Sequence, residues 1–145
     1  MNTEPTIHLP RNVGVITYSR TGSSYTVEPP VTDTDIDYLV LVQDFCHAIK
    51  TLSKAGWTMC SGDYDEDEGF RTAWDALRKG VFNVMVTDDL GWYQRAVDAT
   101  YICKRRNIKD KKDRIIVFLW VRDGLDLDGR ASDKMYQLVL QRWPL

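Results

Sequence analysis

Asp33, Asp35 and Asp37 stand at alternate positions ahead of the apolar run Tyr38-Leu39-Val40-Leu41-Val42. On a strand over residues 34–42 the period of two puts the three carboxylates on one face and Ile36 and Tyr38 on the other. Carboxylates kept close on one strand edge repel each other, and a fold that holds them there normally brings a cation to them. Magnesium suits such hard oxygen ligands when phosphate is a co-ligand. Upstream lies Ser19-Arg20-Thr21-Gly22-Ser23-Ser24, where small hydroxyl residues and a glycine let backbone amides turn toward an anion. An ordinary polar turn has the same composition, so this hexapeptide points to phosphate only in company with the aspartates.

A Gly-Ser pair, a loop, then Asp35-Ile36-Asp37 leading into an apolar strand resembles the signature of the polymerase-beta-type nucleotidyltransferase superfamily. The chain as a whole, most clearly over 79–118, is similar to small phage-encoded members of it. The resemblance implies that Gly22 and Ser23 hold the phosphates of a nucleoside triphosphate, with Ser24 and Arg20 beside them. It implies that Asp35 and Asp37 hold Mg2+, for which Mn2+ could substitute. The reaction implied is Mg-dependent transfer of a nucleotide to a hydroxyl on RNA, a protein side chain or a small molecule.

The superfamily's third carboxylate usually lies on a following strand, and the matching place, Phe82-Asn83-Val84-Met85-Val86, offers Asn83. An asparagine ligates a cation through its amide oxygen but carries no charge and is a poor base. Asp75 on the neighbouring strand, or Asp88 at the strand end, could supply the missing charge, and Asp75 ranks first because it falls inside the hairpin. Asn83 therefore keeps a second expectation open: a catalytically inactive protein on the same scaffold, binding a nucleotide or a host protein. A third, nucleic-acid binding through basic residues, predicts affinity that falls steeply with salt.

The elements that must position these residues follow from patterning. Residues 1–11 carry two prolines and suggest an extended arm. Residues 13–18 are β-branched and read as a first strand. Phe45, Ala48, Ile49, Leu52 and Ala55 recur at helical spacing, on a helix whose polar side carries His47. Residues 57–60 suggest a short strand, and Asp63 to Glu68 a solvated acidic loop. Residues 70–77 and 81–87 read as a hairpin turning at Arg78-Lys79-Gly80. Helices are expected over 90–107, from an Asp110 cap through Val121, and over 131–142. Lys104, Arg105, Arg106, Lys109, Lys111, Lys112 and Arg114 form one dense basic cluster, fitting helix-end electrostatics or an anion patch equally. The class expected is α/β in the α+β sense: a nucleotidyltransferase-like fold whose mixed, twisted sheet is built around the aspartate strand, with helices mainly on one face.

The totals bound the rest. A chain of 145 residues suits one domain, and a formal charge of −2 argues against coating nucleic acid by bulk electrostatics. Three cysteines without metal-ligand spacing point to reduced thiols, and two histidines supply a zinc site or a serine triad poorly. With no apolar run long enough for a signal peptide or a bilayer span, a cytoplasmic protein without membrane contact is expected, in the host cytoplasm if phage-encoded.

Overall fold

The structure is a computed structural model, and it describes residues 6–29, 35–60 and 74–144. Asp33 and the acidic run 63–68 lie outside the described residues, as do residues 1–5 of the expected arm.

Five strands form one mixed sheet in the order β1-β2-β5-β4-β3. Strand β1 (Val15–Thr21) runs antiparallel to β2 (Ile36–Val42), which runs parallel to β5 (Phe82–Thr87). Strand β4 (Trp74–Lys79) pairs antiparallel with β5, and the two-residue β3 (Thr58–Met59) closes the far edge. The aspartate strand is thus paired on both sides, as its apolar β-branched composition requires.

Alternation along β2 and β5 divides the core in two. Val40, Val42, Val84 and Val86, with Leu77 of β4, face helix α2 (Phe45–Lys54) and bury Ala48, Leu52 and Trp57. Ile7 joins this cluster, so residues 6–10 pack on the body. Leu39, Leu41 and Met85 face the other way, against Trp92, Tyr93 and Ala96 of helix α3 (Leu90–Arg105). Helix α4 (Lys111–Val121) covers the outer side of α3 through Ala99, Cys103, Ile108 and Val117. Helix α5 (Asp133–Arg142) covers α4 through Ile116, Met135 and Val139. The short α1 (Ser23–Thr26) also rests on α3, so the helices lie mainly on one face and the α+β class is the one expected. Full burial of a side chain such as Leu39 or Leu52 contributes about 1.5–3 kcal/mol.

Helix starts follow their caps. Asp44, Asp89 and Asp110 accept the backbone N–H of His47, Trp92 and Lys112 at 2.9, 3.0 and 2.8 Å. Several boundaries differ from expectation, and the aspartate strand itself begins at Ile36, which leaves Asp35 just ahead of it. Strand β1 begins at Val15 and runs on to Thr21, which makes Arg20 and Thr21 strand residues. The β4–β5 hairpin turns at Gly80-Val81, where Gly80 has φ +60°, rather than at Arg78-Lys79-Gly80. A two-residue turn favours such positive φ, and pairing Lys79 with Phe82 extends β4 by two residues beyond Leu77.

Candidate functional site

The Gly-Ser turn is fixed by what surrounds it. Thr21, the last residue of β1, pairs with Asp37 on β2, and its hydroxyl meets that of Thr100 on α3 at 2.7 Å. Ser19 meets the Tyr93 hydroxyl at 2.9 Å. Past α1, the backbone of Glu28 is clamped by the Asn107 amide through two hydrogen bonds of 2.8 and 3.2 Å. Gly22 between these anchors has φ +78°, and a Cβ there would stand 2.1 Å from Asp37 Oδ2. Only glycine tolerates both the backbone angle and that approach.

Asp37 therefore sits against the turn, half-buried at the floor of the site. Burial raises its pKa from 3.8 to about 6; a side-chain hydrogen bond with Asn83 works against this, neighbouring Asp35 adds to it, and Arg20 and Arg78 oppose it. Asn83 is Asp37's register partner on β5. An ionised carboxylate only accepts, so the Asn83 amide nitrogen donates to Asp37, while its Oδ1 faces the Cys60 thiol at 3.5 Å. Asp35 lies two residues earlier on the same face and is ion-paired with Arg78, which stands opposite Asn83 on β4.

The other wall is helix α4. A cavity of about 470 Å³ is lined by Gly22, Ser23, Asp37 and Asn83 on the sheet side and by Lys111, Arg114, Ile115, Phe118, Leu119 and Arg122 opposite. These α4 positions form one stripe at helical spacing, distinct from Ile116 and Val117, which are buried against α5 and α3. Lys111 is exposed; Arg114 donates to the carbonyls of Ile108 and Lys109. Neither has a carboxylate partner among the described residues. Arg122 is different: it is paired with Asp123 at 2.8 Å and lies over Trp74, Trp92 and Phe118, so its charge is already met.

The structure thus brings together Gly22, Ser23, Asp37 and Asn83, with Asp35 beside them. Other expected residues fall elsewhere. Asp75 pairs with Val86 and shares the α2 face with Leu77, so strand alternation points it away from Asp35 and Asp37; it cannot be their third carboxylate. Asp88 stands past the opposite end of β5, where it accepts from the Phe45 N–H. Arg20 lies on the Tyr38 face of β1, over the rings of Tyr25 and Tyr38, and donates to Ser24 Oγ at 2.9 Å. Neither Arg20 nor Ser24 lines the cavity. His47 is a surface residue bonded to the Asn12 carbonyl. Ile115, Phe118, Leu119 and Arg122 were not expected at the site, yet their helical spacing from Lys111 and Arg114 carries the signal.

A pair of magnesium ions needs several carboxylate oxygens turned to one point. Here Asp35 is engaged by a guanidinium and Asp37 by an amide N–H, and the described residues contain no group of three or more His, Cys, Asp or Glu placed to hold a metal. That donor set does not fit two metals.

No protein-family model and no curated protein matches the chain. Among solved structures it is similar to the crystal structure of the conserved protein GrpB from Enterococcus faecalis, covering 92% of this chain and 70% of that one at 16% identity, with a TM-score of 0.44. None of the described helices is long and apolar enough to cross a membrane.

Proposed function

We propose that the protein binds a nucleoside triphosphate in the cleft between the Gly22-Ser23 turn and α4, on a nucleotidyltransferase-like scaffold. The observation that carries this reading is the opposition across one cavity of a glycine turn, which brings backbone close to a ligand, and two cations that have no carboxylate partner among the described residues, Lys111 and Arg114. Polyphosphate is the ligand such walls attract, because charge-assisted hydrogen bonds to phosphate oxygens are strong and short. The apolar part of the stripe, Ile115 and Phe118, offers a surface to a base or sugar.

Binding is favoured over transfer. Attack by a hydroxyl needs a base near the reacting phosphorus, and Asn83 occupies that place while Asp75 and Asp88 point elsewhere. A transferase acting on RNA, protein or a small molecule would need its third carboxylate from outside the described residues.

Calorimetric titration of ATP, GTP, CTP and UTP tests the reading. Saturable binding of at least one, weakened tenfold or more by Lys111→Glu with Arg114→Glu, is expected. No binding in a folded protein removes it. Release of pyrophosphate on adding RNA would restore the transferase.

A further inference from the structure

We propose that Arg78 takes the place of a divalent cation at the aspartate pair, so that the cleft binds its polyphosphate without metal. This rests on the reading of the cleft as a nucleotide site, and the charges around Asp35 and Asp37 carry it. Two carboxylates on one strand face need compensation. The fold supplies it from the next strands. Register places Asn83 beside Asp37 and Arg78 opposite Asn83, so three adjacent strands present Asp37, Asn83 and Arg78 in a row on the α4 side of the sheet. From that row the guanidinium of Arg78 reaches Asp35.

The orientation of Asn83 points the same way. Its amide N–H faces Asp37 and its oxygen faces Cys60, so it presents a donor where a metal would require an acceptor. One carboxylate shared with an amide N–H is a poor magnesium site, since this ion dehydrates reluctantly and wants near-octahedral oxygen. Lys111 and Arg114 on the facing wall then supply the charge that metal ions otherwise bring to phosphate.

Two measurements on the whole chain test this. First, nucleotide is titrated in Mg2+ and in EDTA. Affinity in EDTA equal to or above that in Mg2+ is expected, and a tenfold or greater loss in EDTA overturns the proposal. Second, Mn2+ alone is titrated and its free aqueous signal followed by electron paramagnetic resonance, with wild type, Arg78→Ala, and Arg78→Ala with Asn83→Asp. Wild type should leave the signal unchanged, and the double variant should quench it in proportion to protein. Quenching by wild type, or none by a double variant whose circular dichroism matches wild type, overturns the proposal. Should the double variant not fold, Arg78→Ala decides, since Arg78 is half-exposed and tolerates truncation: loss of the free Mn2+ signal where wild type leaves it unchanged supports the proposal, and a signal unchanged in the variant overturns it. Failure of all nucleotides to bind removes the proposed function, while the Mn2+ titration still decides what Arg78 does.

Discussion

Asp37 holds its proton to about pH 6 in the folded protein, against 3.8 for an unperturbed aspartate, because burial at the foot of the Gly22 turn disfavours its charge. The folded chain binds this proton more tightly than the unfolded one. The stabilisation is therefore complete below about pH 3.8 and is lost as pH rises through about 6. Asp37→Asn keeps an acceptor for Asn83 and removes the titration. Allowing for partial exposure, the variant should match wild type near pH 3.5 and exceed it by about 1–2 kcal/mol at pH 8. Urea unfolding at both values checks this, and a variant less stable than wild type at pH 8 contradicts the assignment. Gly22 gives the complementary case. A methyl there meets Asp37 Oδ2 at 2.1 Å on a backbone at φ +78°, so Gly22→Ala should cost about 2 kcal/mol or more. Part of that cost should return in Gly22→Ala with Asp37→Gly, which removes the clash and leaves the backbone strain.

Among the elements, α4 decides whether the cleft holds anything. Its first residue, Lys111, faces the cavity, whereas Lys112, one position round the helix, does not line it. Lys111→Glu should weaken nucleotide binding about tenfold or more, and Lys112→Glu should change it by no more than about twofold, since local charge and not bulk charge holds the ligand. Equal losses in the two variants, measured by calorimetry, would reduce the basic stripe to nonspecific attraction. The same helix shows what a sequence reveals. Its Asp110 cap, like those at Asp44 and Asp89, is a local interaction written in neighbouring residues, and it was legible. So was the aspartate strand, where Leu39 to Val42 are buried on both faces and alternation puts Asp37 on the α3 face with Leu39 and Leu41. The face of Asp75 was not legible, because it depends on register across β4 and β5, and a one-residue slip reverses every side chain. The division of the basic cluster was hidden for a related reason. Lys104 ends over Tyr25 and Arg105 over Tyr101, while Lys111 and Arg114 reach the cleft, and the α3–α4 crossing that separates them is a tertiary fact.

At the scale of the molecule, the helical layers are stacked in series on one side: α3 on the sheet, α4 on α3, α5 on α4. The cleft opens between the sheet and α4, so a ligand bound there ties the Gly22 turn to α4 and should hold the layers together. Cys103 reports on that layer. It is fully buried between α3 and α4, and burial pushes its thiol up to about 12 against the pull of nearby Arg114, itself a cleft residue. Only a thiolate attacks a disulfide reagent, so Cys103 reacts only when the layer opens. With Cys46, which is exposed, and Cys60, which is half-buried, both replaced by serine, labelling at pH 8 should run about a thousandfold or more below the denatured rate. A nucleotide at a hundred times its dissociation constant should slow it by up to about a further hundredfold if opening breaks the cleft. A nucleotide that binds but leaves the labelling rate unchanged would sit away from α4, and the wall formed by Lys111 and Arg114 would lose its role.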